Sequence, residues 1–316
     1  MTAVRPVTLR VGTRASALAR VQTEHVAGLL TTPVEIVPVV TEGDRSTAAL
    51  AQIGGTGVFV SALRTALLEH RIDVAVHSYK DLPTAATDGV ELGAVPLRED
   101  PRDALVARDG LTLGELPAGA RVGTGSPRRA AQLHALGLGL EVVAIRGNVD
   151  TRMRKVAEGE LDAVILAYAG LRRLGRGDEA TEVLDPIQML PAPAQGALAV
   201  ECRAGDPAVL AALAALDDAD TRAAVEAERA LLAGLEAGCS APVGGLGVIA
   251  EGDDGPEIFL RGSVTAPDGS AAVRLSATGP TTEAADIGRR LAAELIADGA
   301  DSMIVNDRGT MMGSTP

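Results

Sequence analysis

The chain has 316 residues with 42 Asp+Glu against 29 Lys+Arg, a formal net charge of −13 and a pI near 4.8. So acidic a balance argues against DNA or an anionic membrane surface as partner, and two Phe, two Tyr and no Trp leave no platform for stacking single-stranded nucleic acid. The length calls for two or three domains, and 47% hydrophobic with 22% charged residues excludes wholesale disorder.

VTLRVGT (Val7 to Thr13) reads as a strand, Ser16 as a helix N-cap, and Ala17 to Leu30 carries helical periodicity. VEIVPVV (Val34 to Val40) is a second strand leading to Thr41, Glu42, Gly43 and Asp44, and the glycine-rich IGGTGVF (Ile53 to Phe59) opens a helix through Leu68. In DVAVHSYKDLP, Val74 to Val76 form a short buried strand, followed by His77, Ser78, Tyr79, Lys80 and Asp81 before Pro83 stops the ladder. VELGAVP (Val90 to Pro96) adds another strand, and strand–helix alternation of this kind predicts a mainly parallel sheet.

Around Arg98 to Arg108 the chain leaves the first sheet, and RVGTGSPRRAAQLHAL (Arg121 to Leu136) repeats the strand–turn–Ser–helix pattern with Pro127 at the first helical position. VGTRASALA and VGTGSPRRA form a short internal echo, as expected of two domains of similar topology that point helix N-termini at a shared cleft. EVVAIRGNVDTRMRKV and LDAVILAYAGLRRLG continue the second unit, and the proline-rich PIQMLPAPAQG leads into a strand, ALAVEC, that returns to the first. A long helix from Asp217 to Gly238, the loop GCSAPVGG, strands near Val248, Ile258 to Thr265 and Ala272 to Ala277, and a helix from Glu283 to Asp298 make a small α+β domain.

In open α/β sheets ligands bind at the carboxyl ends of strands, so Asp81 beside Lys80, one of only two lysines in the chain, is either a site or a surface ion pair. Between Ala120 and Lys155, seven cationic side chains face Glu141 and Asp150, a local charge of +5. Arg128 and Arg129 fall in a first helical turn, where cations oppose the macrodipole unless an anion joins them, which favours a carboxylate or phosphate ligand. Cys202 reads as a small buried hydrophobe, whereas glycines around Cys239 leave its sulfur accessible, either as a covalent anchor or as a nucleophile. The histidines and two cysteines lack metal-ligand spacing, so no metal is expected. The N-terminus lacks a secretory signal and no stretch reaches the roughly 20 apolar residues of a membrane span, so a cytoplasmic protein is expected.

VGTRASALA, the IGG loop with Phe59, HSYKDLP, VGTGSPRR, IRGNVDTR, LAYAGLRRLG, PAQGALAVECR and EAGCSAPVG resemble, in order and spacing, the porphobilinogen deaminase (hydroxymethylbilane synthase) family. The resemblance implies two α/β domains like those of periplasmic binding proteins, residues 1–98 with 197–216 and residues 99–196, followed by an α+β domain over 217–316. It implies a dipyrromethane cofactor on Cys239 through a thioether, with porphobilinogen as substrate and a monomer as the working form. Asp81 matches the catalytic carboxylate. Lys80, Asp44, Ser78, Thr124, Ser126, Arg128, Arg129, Arg146 and Gln195 match cofactor-binding positions, and Arg14, Ser16, Phe59, Arg152 and Arg173 match substrate-binding ones. Thr56 and Ser61 stand where relatives often carry lysines, which leaves the cleft without those loop cations.

Overall fold

The computed structural model describes residues 8–39, 57–237, 241–253 and 255–304, with backbone alone at 57–59. Asp44 and Cys239, and the side chain of Phe59, lie outside the described residues.

In chain order the elements are β1 (Leu9–Thr13), α1 (Ala17–Leu29), β2 (Val34–Pro38), α2 (Gly57–Leu68), β3 (Val74–Ser78), β4 (Val90–Ala94), β5 (Asp103–Ala107), β6 (Arg121–Thr124), α3 (Pro127–Ala135), β7 (Glu141–Ala144), α4 (Val149–Ala157), β8 (Ala163–Ala167), α5 (Tyr168–Arg173) and β9 (Glu182–Val183). They continue with β10 (Leu198–Arg203), α6 (Pro207–Leu213), α7 (Ala219–Gly234), β11 (Val243–Gly252), β12 (Gly255–Thr265), β13 (Ala272–Pro280) and α8 (Ala284–Ala297). The chain divides into two compact units, Met1–Arg98 with Ala197–Arg222, and Glu99–Gly196 with Ala223–Pro316.

The first unit holds a five-stranded sheet in the order β2-β1-β3-β10-β4. β1 runs parallel to β2 and β3, while β10 runs antiparallel to both β3 and β4, so four strands point one way and the returning strand opposes them. Pro38, which cannot donate to a ladder, sits at the end of edge strand β2. Val11, Val74, Val76, Leu198 and Val200 build one core of the unit, and Leu63, Leu67 and Ile72 build another.

The second unit repeats the plan with the order β7-β6-β8-β5-β9, in which β5 is the opposing strand. It also contains the antiparallel sheet β11-β12-β13, whose Ile258, Leu260 and Val264 share a core with Leu231 of α7 and Ile287, Leu291 and Leu295 of α8. The architecture is therefore α/β, with two largely parallel sheets and a small C-terminal sheet-and-helix part. Strands β5 and β9 and helix α6 are additions to the sequence reading, and α7 stops at Gly234, short of Gly238.

Two buried acids hold the first sheet to its surroundings. Glu201 of β10 accepts two hydrogen bonds from Arg64 Nε and Nη2 at 3.0 and 2.7 Å, and pairs with His77 Nε2 at 3.1 Å. Burial pushes the Glu201 carboxyl up, but the nearby His77 imidazole and the Arg64 guanidinium more than reverse this and leave it at about 2. Asp73 behaves alike: burial raises it, and hydrogen bonds from Arg10 and Arg203 bring it down to about 2. Both carboxyls are more acidic folded than unfolded, so their stabilisation is complete above about pH 4.5 and is lost as the pH falls toward 2. For Glu201 the shift corresponds to about 3 kcal/mol. Acid titration followed by circular dichroism should show that decline, and Glu201→Gln should be less stable at pH 7 with a shallower acid dependence; an unchanged pH profile in the variant would contradict this account.

Candidate active site

In the first unit, neighbouring parallel strands carry the candidate residues to one carboxyl edge. β1 ends in Thr13, Arg14 and then Ser16, whose hydroxyl accepts from Ala19 N at 3.3 Å and caps α1. β3 ends in a single 3-10 turn over Tyr79–Asp81, with Leu82 N donating to Tyr79 O at 3.1 Å and Tyr79 N to Ala197 O at 3.0 Å. Tyr79 is buried, and Lys80 and Asp81 are half-buried, so the acid and the lysine stand on a turn anchored at both ends. Gln22 of α1 ties the helix to this turn, its Nε2 donating to Ser78 Oγ at 2.8 Å. His77, the residue type most often catalytic, is turned away to Glu201.

The second unit gathers more of the candidates. Thr124 is buried at the end of β6, its Oγ1 accepting from Ser126 N at 3.2 Å, and Ser126 caps α3 by accepting from Arg129 N at 3.5 Å. A side chain at Gly125 would place its Cβ 2.6 Å from Ile145 O, so only glycine lets this turn pack against the loop after β7. In that loop Arg146 is exposed, and Arg152 on α4 donates from Nε to Gly147 O at 2.8 Å.

Arg128 and Arg129 are 3% and 5% exposed, and both turn onto Asp103, which is 0% exposed at the start of β5. Arg128 Nη2 meets Asp103 Oδ2 at 2.7 Å and its Nη1 donates to Leu190 O at 2.6 Å. Arg129 Nη2 meets Asp103 Oδ1 at 2.7 Å, its Nε reaches the same oxygen at 3.1 Å, and its Nη1 donates to Ile165 O at 3.0 Å. Gln195 joins them, Nε2 donating to Asp103 Oδ1 and to Pro101 O, each at 2.8 Å. The next residue, Gly196, has φ +89° and its Cβ would lie 2.3 Å from Glu99 O, so glycine is required there too. Arg173 Nη2 donates to Gly196 O at 2.7 Å.

The electrostatics follow from crowding. Burial raises the Asp103 carboxyl, but Arg128 and Arg129 overcome this and hold it far below the carboxylate range. Burial lowers Arg128, Arg152 and Arg173, and repulsion from Arg129 lowers Arg152 further, so these two guanidiniums share one neighbourhood. Arg128 Nε is buried without a hydrogen-bond partner. A cluster with more guanidiniums than carboxylates fits a ligand that brings carboxylates of its own. Among the described residues, no group of three or more His, Cys, Asp or Glu side chains could hold a metal, and no helix is long and apolar enough to cross a membrane.

Asp103 was not singled out as a site residue in the sequence. Its signal was there: a lone acid beginning the apolar strand DALVA demands buried cationic partners, and adjacent arginines in a first helical turn demand an acid. Glu201, within ALAVEC, carried the same signal for Arg64 and His77.

Residues 9–211 match the family model described as "Porphobilinogen deaminase, dipyromethane cofactor binding domain", and residues 222–297 match "Porphobilinogen deaminase, C-terminal domain". The chain is 58% identical over 304 residues to the porphobilinogen deaminase of Mycobacterium tuberculosis, covering 94% of this chain and 98% of that one. It is 57% identical over 314 residues to that of Nocardia farcinica, covering 97% and 90%. Among solved structures it is similar to a putative methionine-binding lipoprotein from Bacillus subtilis at 14% identity and TM-score 0.40, covering 67% of this chain and 90% of that one.

Proposed function

Because this chain belongs to the porphobilinogen deaminase family, we propose that it condenses four molecules of porphobilinogen stepwise, with loss of ammonia, and releases the linear tetrapyrrole hydroxymethylbilane by hydrolysis. The observation that carries this reading is the match to the family across nearly the whole chain, cofactor-binding model included. When bound, the dipyrromethane supplies the pyrrole carbon on which the product is built. Its attachment is assigned to Cys239 through a thioether.

Asp81 is the proton-transfer group. Its carboxylic acid Oδ protonates the aminomethyl nitrogen of porphobilinogen so that ammonia can leave, and the resulting carboxylate stabilises the positive charge left on the substrate. With the dipyrromethane bound, the same oxygen would be the base that takes up the proton released as the carbon–carbon link forms, which would return Asp81 to its acid form for the next cycle. The anchored 3-10 turn supports this role because it fixes the position of a half-buried carboxyl beside Lys80.

Each pyrrole carries an acetate and a propionate, so the remaining residues bind and orient carboxylates. Lys80, Arg128, Arg129 and Arg146 are assigned to the cofactor with Asp44, Ser78, Thr124, Ser126 and Gln195, and Arg14, Arg152 and Arg173 to the incoming substrate with Ser16 and Phe59. The three-domain division at 98/99, 196/197 and 216/217, a monomeric state and a cytoplasmic location belong to the same proposal. Turnover is tested by supplying porphobilinogen and measuring ammonia against tetrapyrrole; a ratio near one, or no tetrapyrrole, would refute the activity.

Arg146 separates binding from architecture, because it is exposed at the edge of the second sheet. Removing one charge-assisted contact to a carboxylate costs about 1.5–3 kcal/mol. Arg146→Leu is therefore expected to slow chain elongation roughly 10- to 100-fold with the melting temperature unchanged, as read by single-turnover kinetics and thermal unfolding. Normal elongation would place Arg146 outside the site.

A further inference from the structure

The Asp103 network sets one buried carboxylate against two buried guanidiniums, and the Nε of one of them, Arg128, has no hydrogen-bond partner. Asp103 accepts from Arg129 Nε, Arg129 Nη2 and Gln195 Nε2 at Oδ1 and from Arg128 Nη2 at Oδ2, so its single charge is divided between two guanidiniums and an amide. The cations remain in excess: one carboxylate serves two adjacent guanidiniums, Arg152 repels Arg129 from nearby, and Arg128 Nε has no acceptor. The first turn of α3 adds its own positive end to this cluster. Without Asp103, these charges would stand against each other in a largely dry environment, where an unpaired ion is strongly disfavoured.

We propose that Asp103 is a positioning residue that stands in for a ligand carboxylate, holding Arg128 and Arg129 together until an anion comes to share them. The inference rests on the reading that these arginines serve a carboxylate-bearing ligand. A salt bridge that served the fold alone would matter equally with and without the ligand. A stand-in matters more in its absence, because ligand carboxylates supply the missing negative charge once bound.

The test compares Asp103→Asn with the parent protein in apo and cofactor-loaded forms, by thermal unfolding and with intact mass verifying the loading. The variant apoprotein should lose roughly 5–10 °C in melting temperature and the loaded form no more than half of that. Equal losses in the two forms would overturn the proposal. Sodium succinate, a soluble dicarboxylate, gives a readout independent of the cofactor: compared with sodium chloride of equal ionic strength, it should raise the melting temperature of the variant apoprotein more than that of the parent. An equal or smaller rise would likewise overturn the proposal. Asp103→Glu keeps the charge and should restore the parent's difference between apo and loaded forms; failure to restore it counts against a charge-based role. If apo Asp103→Asn does not fold in dilute buffer, its recovery in succinate supports the proposal and lack of recovery contradicts it. An unmodified Cys239 in active parent protein would refute the cofactor assignment, while the succinate comparison would still decide the role of Asp103.

Discussion

Asp81→Asn is expected to leave the fold and the bound cofactor intact while lowering kcat by about a thousandfold or more. General acid–base transfer contributes about 10²–10⁴ in rate, and a preorganised charge beside a developing cation contributes about 10²–10³. Asparagine removes both while occupying the same space. The two contributions reside in one group and overlap, so the loss is expected nearer the larger than their product. The turn itself should survive, because it is held by backbone hydrogen bonds from Tyr79 and Leu82 and by the Ser78–Gln22 contact, none of which uses the Asp81 side chain. Steady-state kinetics with the melting temperature as control would check this. A kcat within tenfold of the parent would place proton transfer on another group.

Cys239→Ser is the second substitution with a large expected effect. A serine hydroxyl at this position is a poorer nucleophile than a thiolate, so the thioether cannot form and the chain should carry no covalent pyrroles. Activity should fall below detection. The apoprotein would lack the linkage between ligand binding and folding that stabilises the loaded form, and its melting temperature should drop accordingly. Cys202 cannot substitute, because it is fully buried in the core of the first unit and burial pushes its thiol up to about 11. A fully active Cys239→Ser protein would show that the cofactor is held in another way.

The parts of the fold legible in the sequence were those with strong local rules. Ser16 and Ser126 announced two helix starts, with Pro127 in the first turn of the second, and both serines cap as expected. Val74 to Val76 and ALAVEC were recognisable as apolar runs, and the strands they form extend to Ser78 and Arg203. Their pairing was not, because β3 and β10 lie more than a hundred residues apart and join antiparallel inside an otherwise parallel sheet. The two-residue β9 is too short for any periodicity to reveal it.

The candidate site divides in the same way. The acid of DVAVHSYKDLP stood out as a charge at the end of a buried strand, and the structure places it on a tight turn beside Lys80. The arginine cluster was visible as a reversal of local charge, but what its members face was not. Arg128 and Arg129 meet Asp103, about 25 residues earlier in the chain, and only the reversal at β5 brings that acid to them. Arg146 and Arg152 lie on one loop and helix, yet one is exposed and the other half-buried against Gly147. Spacing alone does not distinguish the two.

Intact mass of the purified active protein, followed by peptide mapping, tests the central claim most directly. The account predicts an excess equal to two linked pyrrole units, confined to the peptide that contains Cys239, and a ladder of heavier species when porphobilinogen is added. Active protein with an unmodified Cys239 and no ladder would contradict it.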